Sequence, residues 1–276
     1  MISFLEILKS ILYGVVEGIT EWLPISSTGH LILLEKLLPM NVSDAFWELF
    51  LVVIQLGAIL AVVVLFWNRI CPFSFKKGTE IVRGSCLSMW YKVIIACIPG
   101  ALYAFLLDDL TEPYLYNPIT VAVMLILVGI VFLYVEKRMC DHLPHITDID
   151  AITYRAAVMI GLFQLIAAVF PGTSRSGATI LGALLLGLSR TVAAEFTFVL
   201  AIPVMFGSSL LKVLKFGLSF TQTELVLLAV GVFVSFIISL FSIRFLMDYV
   251  KRHTFKGFAV YRILLGVLVL LLFPML

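Results

Sequence analysis

Two short stretches hold most of the side chains in this chain that could do chemistry. Residues 14–30 carry Glu17 and Glu21, then Pro24, then Ser26, Ser27, Thr28, Gly29 and His30. Residues 161–177 carry Gln164, then Pro171, Thr173, Ser174, Arg175, Ser176 and Gly177, with Thr179 just beyond. Glu17 and Glu21 are spaced i, i+4 and so share a helix face with Gly14 and Gly18. Acids within an apolar helix are costly and must face protein or a wet cavity. The functional readings are a metal site, a proton acceptor or an ion-coupling site; the ordinary one is a pair of acids at a solvated helix end. Two carboxylates with phosphate oxygens and waters suit a divalent cation, Mg²⁺ or Ca²⁺.

A Ser or Thr that restarts a helix after a proline is first of all an N-cap. That accounts for one hydroxyl, not for three followed by a histidine. Free N–H groups and the dipole make a helix N-terminus an anion site. A serine or histidine there can attack phosphorus while the other moves protons. Ser27, His30 and an activated water stay open as the attacking group. In the second stretch the acids are replaced by Gln164 and Ala168, and a cation appears instead. Arg175 among Ser174, Ser176, Gly177 and Thr179 suits bidentate phosphate binding; the ordinary reading is a snorkelling or acid-paired arginine. Together the two stretches can hold a diphosphate between a metal–carboxylate side and an arginine–hydroxyl side.

These residues need a scaffold. Of 276 residues, 62% are hydrophobic and 13% charged, with mean hydropathy +1.14. This composition specifies an all-α integral membrane protein, each span needing ~20 apolar residues. A net charge of +2 argues against a nucleic-acid partner. Cys71, Cys86, Cys97 and Cys140 show no CxxC pair and read as ordinary residues. Apolar spans fall at 46–67, 87–107, 117–135, 193–214, 224–247 and 257–276. Stretches 2–23 and 152–170 are each followed by one too short to cross, 30–38 and 177–189. With each such pair folded as a re-entrant hairpin, six spans remain. Loops 68–86, 136–151 and 248–256 then share one side with 9 Lys and Arg, against 1 in loops 108–116 and 215–223. That restores the positive-inside rule, which an eight-span arrangement lacks.

The two stretches also match each other. At an offset of 147, Gly14 meets Gly161, Pro24 meets Pro171, Ser27 meets Ser174, Thr28 meets Arg175 and Glu48 meets Glu195. The expectation is one membrane domain built from two inverted-topology repeats, about 1–136 and 150–276, whose broken-helix tips meet near the bilayer midplane. The first hairpin enters from outside, the second from the cytoplasm.

The run Glu17-Gly-Ile-Thr-Glu21, then Leu-Pro-Ile-Ser-Ser-Thr-Gly-His30, resembles the undecaprenyl-diphosphate phosphatases of the bacitracin-resistance type, as does Pro171-Gly-Thr-Ser-Arg-Ser-Gly-Ala-Thr179. Phe50-Leu-Val-Val-Ile-Gln-Leu-Gly-Ala-Ile and Ala193-Ala-Glu-Phe-Thr-Phe extend the resemblance over nearly the whole chain. It implies a bacterial plasma-membrane hydrolase that takes the terminal phosphate from undecaprenyl diphosphate, for cell-wall synthesis. It also implies a divalent cation and a site open to the outer face. Its functional residues fall on Glu17, Glu21, Ser26, Ser27, His30, Ser174, Arg175, Ser176 and Thr179. The alternative is a secondary transporter or flippase of polyprenyl phosphate, because inverted repeats with broken helices are a transporter design. Homodimerisation is compatible with either. Of the remaining polar residues, Glu48 and Glu195 are expected to bind the opposing hairpins and Gln55 to bond between helices. Arg262 is expected to snorkel.

Overall fold

The computed structural model describes residues 3–73, 82–139, 143–217 and 219–272, without the side chains of Asp108, Asp109 and Glu112. Cys140 and His142 lie outside the described residues. Among the described residues twelve α-helices follow in order: α1 (Phe4–Thr20), α2 (Ser27–Leu37), α3 (Asp44–Leu65), α4 (Trp67–Ile70), α5 (Gly84–Leu106), α6 (Asp108–Leu115), α7 (Pro118–Met139), α8 (Tyr154–Val169), α9 (Arg175–Leu185), α10 (Arg190–Phe216), α11 (Gln222–Tyr249) and α12 (Lys256–Leu272). Among the described residues there is no strand, only two isolated bridges. The protein is an all-α membrane protein.

Five helices (α3, α5, α7, α10, α11) are long and apolar enough to cross a bilayer. The sixth expected span is α12, described over 17 residues and packed along α7. Leu60, Leu102, Phe105, Phe233, Phe245 and Leu264 are exposed, an apolar surface suited to lipid. The 11 residues of α2, and of α9, give ~16 Å of helix at 1.5 Å per residue, about half a bilayer core. Neither can cross. The expected loop at 108–116 is instead largely helical, as α6.

Chemistry at the helix starts explains the boundaries. Ser43, Thr153 and Ser189 each accept a first-turn N–H with the side chain, and Thr221 forms a full capping box with Glu224. Both first arms stop short of a proline, α1 before Pro24 and α8 before Pro171, because a residue preceding proline is pushed out of helical conformation.

Packing follows the matched positions. α1 lies on α11 and α8 lies on α5. A Cβ on Gly14 would stand 2.7 Å from the Gly231 carbonyl oxygen, and one on Gly161 would stand 2.4 Å from that of Ala96. Two glycines 147 residues apart thus do the same work, bringing a hairpin arm into backbone contact with a span. The two central pairs, α3 with α10 and α7 with α12, run antiparallel. Glu48 near the start of α3 meets Lys212 near the end of α10 at 2.7 Å. Arg69, just past α3, meets Glu195 near the start of α10 at 3.1 Å. These two acids therefore bind the partner span, not the opposing hairpins as expected.

Candidate active site

Between the two tips lies a cavity of about 320 Å³, reached by Glu21, Ser27, Thr28, Gln55, Ser174 and Arg175. That volume is at the lower end of small-ligand pockets and suits a phosphorylated headgroup, not a whole lipid. Tyr103, Tyr116 and Met205 complete the wall.

Each tip is a helix end, a turn and a new helix start. Glu21 is the last residue of the first arm, its N–H still bonded to the Glu17 carbonyl. Ser26 and Ser174 are the N-caps of α2 and α9, accepting from Gly29 N–H at 3.4 Å and Gly177 N–H at 3.2 Å. Their φ values are +72° and +69°, the only positive ones among described non-glycine residues. Held strain of this kind clusters at functional sites. It also corrects the register of the repeat. Ser26 corresponds to Ser174 and Ser27 to Arg175, an offset of 148 at this point. The second tip has one more residue after its proline, Gly172, at φ +87°. The expected pairs Ser27–Ser174 and Thr28–Arg175 therefore do not hold structurally.

The polar groups converge on Glu21. Ser27 donates its Oγ–H to Glu21 Oε2 at 2.8 Å, and Arg175 Nη2 donates to Glu21 Oε1 at 3.0 Å. Arg175 Nη1 donates to the Thr197 carbonyl at 3.2 Å, and its guanidinium carbon lies 5.9 Å from the centre of the Trp22 ring. Thr197 Oγ1 donates to Thr179 Oγ1 at 2.9 Å, and Thr179 donates to the Arg175 carbonyl at 2.9 Å. Ser176 Oγ donates to the Glu21 carbonyl at 3.1 Å, stitching one tip to the other. Thr179 and Ser176 are thus buried supports and not cavity wall. Glu21 sits at a helix C-terminus and Arg175 at a helix N-terminus, the unfavourable end for each charge. Each is held by the other.

Glu17 is fully buried and neither carboxylate oxygen has a partner. A buried carboxylate left alone is strongly destabilising, so a cation beside it fits what is present. Among the described residues no group of three His, Cys, Asp or Glu gathers. Glu17 and Glu21 would therefore need substrate oxygens and water to complete a coordination shell.

Two expected roles change. His30 does not reach the cavity. Its Nδ1 lies 2.7 Å from the Ser26 carbonyl, and its Nε2 lies 2.7 Å from the Tyr261 hydroxyl. A carbonyl only accepts, so Nδ1 carries the proton and Nε2 accepts from the tyrosine. Arg262 does not snorkel. It is 0% exposed and its guanidinium bonds to Pro24, Gly172 and Thr173 carbonyls. Sequence reasoning also passed over Trp22 and Thr197, although both lie inside the motifs already singled out. For Arg262 the signal was present, a lone charge in an apolar span.

Fold and site thus define a helical membrane protein with a polar, phosphate-sized cavity between two broken helices. The model of the family described as bacitracin resistance protein BacA matches residues 10–268, and the chain belongs to that family. It is 58% identical over 271 residues to an undecaprenyl-diphosphatase of Desulfitobacterium hafniense, covering 98% of this chain and 97% of that one. An undecaprenyl-diphosphatase 1 of Clostridium acetobutylicum is 57% identical over 269 residues, with 98% of each chain covered. One from Enterococcus faecalis is 53% identical over 272 residues, again with 98% of each covered.

Proposed function

We infer that this protein is a membrane phosphatase that hydrolyses undecaprenyl diphosphate to undecaprenyl phosphate and inorganic phosphate. The observation that carries the reading is the Ser27–Glu21–Arg175 constellation: hydroxyl, base and phosphate-binding cation share one carboxylate in one cavity. The bacitracin resistance in the family's description fits an enzyme that consumes this lipid.

The geometry supports Ser27 as nucleophile. Glu21 takes the Ser27 proton as Oγ bonds to the terminal phosphorus. The bond to the bridging oxygen breaks, and undecaprenyl phosphate leaves. Arg175, rotating off Glu21 as the proton arrives there, holds the equatorial oxygens, where transition-state charge collects. Glu21 gives up that proton to the departing undecaprenyl phosphate; water then attacks the phosphoserine, Glu21 accepts its proton and returns it to Ser27 Oγ as the P–Oγ bond breaks, and phosphate departs. The first-turn N–H of Thr28 in α2, unpaired within its helix, adds a donor at the cavity wall. Glu17 with Glu21 would hold Mg²⁺ or Ca²⁺, which would neutralise diphosphate charge.

The antiparallel α3–α10 and α7–α12 pairs, with the matched glycines of α1 and α8, support two inverted repeats. The cavity reaches Tyr116, beyond α6, and an adjoining groove runs to Glu48 and Lys212. That end carries the loops poor in Lys and Arg. With the charge bias, this supports a site open to the outer face of a bacterial plasma membrane. The same antiparallel pairing favours lipid turnover between leaflets as a second reading.

The test is phosphate release from undecaprenyl diphosphate by purified protein in detergent, with Mg²⁺, with chelator, and with Glu21→Gln. Release abolished by Glu21→Gln supports the reading. No release from folded wild-type protein overturns it and moves the lipid-transport reading first, to be measured as labelled polyprenyl phosphate crossing vesicles.

A further inference from the structure

Arg262 is the one fully buried arginine in the described residues, and the proposed chemistry does not use it. It has no carboxylate partner among the described residues, and its Nε is unpaired. Nη1 donates to the Pro24 carbonyl of the first tip at 3.2 Å. Nη2 donates to the second tip, to Gly172 at 3.0 Å and Thr173 at 2.6 Å. A Cβ on Gly177 would stand 2.6 Å from Nη1, so the guanidinium also lies against the first turn of α9. The preceding residue, Tyr261, holds His30, which holds the carbonyl of strained Ser26. One dipeptide of α12 therefore grips both broken helices from behind the cavity, without lining it.

We propose that Tyr261 and Arg262 form a clamp that positions the two tips, setting the reach between Ser27–Glu21 on one and Arg175 on the other. A planar fork suits carbonyls on two separate loops, because Nη1 and Nη2 hold them from two fixed positions, whereas the three donors of an ammonium all radiate from one nitrogen. Each loop is short and holds a positive φ; Ser176 and Arg175 join the loops at Glu21, and Arg262 joins them at Pro24, Gly172 and Thr173. A neutral side chain could bond these carbonyls too. The unpaired positive charge has a second effect, raising the potential behind a site that must hold a diphosphate.

The inference rests on the roles proposed for Ser27, Glu21 and Arg175. The test is steady-state phosphate release by Arg262→Lys, Arg175→Lys and the double variant. Misplacement by ~1 Å costs about 100-fold, so Arg262→Lys is expected to lose about that in kcat with KM within about threefold. In the Arg175→Lys background the further loss should shrink to less than about fivefold, since both act through one geometry. The clamp is overturned by kcat within threefold of wild type, by a loss confined to KM, or by losses that multiply in full. Full activity of Arg175→Lys would sink the site itself, a distinguishable failure. If Arg262→Lys does not yield monodisperse protein, Tyr261→Phe, which removes one hydroxyl, carries the test. A drop in kcat of about threefold to tenfold at constant KM supports the clamp, and wild-type kcat overturns it.

Discussion

Arg175→Lys is the sharpest perturbation of the site, because it keeps the charge and removes only the fork. The guanidinium spans two elements, Nη2 on Glu21 at 3.0 Å and Nη1 on the Thr197 carbonyl at 3.2 Å. A lysine has three donors but one nitrogen position, so it cannot stand where both Nη1 and Nη2 stand and is expected to keep one of these at full strength. The ground state then loses one charged hydrogen bond, ~1.5–3 kcal/mol. Arg175→Ala would be a poorer probe. It leaves Glu21, itself nearly buried, without its cation, at a cost of ~3–5 kcal/mol, and so confuses folding with catalysis. In the transition state the lysine cannot give two parallel donors to the equatorial oxygens. Removing one preorganised donor costs ~2.7–4 kcal/mol, or about 100- to 1,000-fold in kcat. Substrate binding keeps most of the Coulomb attraction, so KM should move by less than about fivefold. The assay is phosphate release under saturating lipid, with a melting temperature taken on the same sample. A kcat within about threefold of wild type, at an unchanged melting temperature, would refute the argument that a fork at this position stabilises the transferring phosphoryl group.

Ser27→Ala should lower kcat by about 10,000-fold or more, and acid-quenched wild-type enzyme should carry an acid-stable phosphoserine, read by mass spectrometry. His30→Gln, whose amide can still donate to the Ser26 carbonyl, should retain activity within about tenfold; an acid-labile phosphoenzyme would return His30 to the chemistry. Glu17→Gln, which keeps the shape of the side chain and removes its capacity for negative charge, should lose the rise in melting temperature that Mg²⁺ gives wild type. An unchanged Mg²⁺ shift in that variant would remove Glu17 from the metal site. Gly161→Ala should destabilise the α8–α5 contact by ~1–3 kcal/mol in thermal unfolding, because its Cβ would meet the Ala96 carbonyl at 2.4 Å. A wild-type melting temperature would show that the helices can separate freely.

The membrane class and the two tips were legible because each rests on a local pattern. Apolar length marks a span, and a proline followed by Ser or Thr marks a helix that stops and restarts. The pairing of Ser27 and Arg175 on one carboxylate was not legible. It depends on a tertiary contact between residues 154 positions apart in one case and 6 in the other. The repeat offset misled for a related reason. Pro24 and Pro171 match at 147, but one residue more in the second turn shifts everything after it. Only the backbone conformation shared by Ser26 and Ser174 restores the correspondence. His30 and Arg262 failed in opposite directions. A histidine beside serines reads as catalytic by proximity in sequence, yet its helix face turns it toward α12. A lone arginine near a span end reads as a snorkelling anchor, yet packing of α12 on α7 carries it inward.

The places where local rules are broken coincide with the proposed chemistry. An acid closes a helix at its negative end, an arginine opens one at its positive end, and two serines hold a left-handed conformation. None of these would persist alone. Glu21 and Arg175 each lose macrodipole energy and each gains the other as its counter-charge, so the charges are best compensated when the tips are together. The strained serines are likewise kept by contacts outside their own turns: for Ser26, through His30 and Tyr261. Stability and competence are then one condition: whatever separates the tips frees an acid and a cation in an apolar interior. A diphosphate entering between them can take over Arg175 and return Glu21 to its serine, since it supplies the negative charge the arginine would otherwise lack. The proposed inverted repeats present two similar broken helices. Their charges differ, acid on one and cation on the other, which suits a base on one side and an anion clamp on the other.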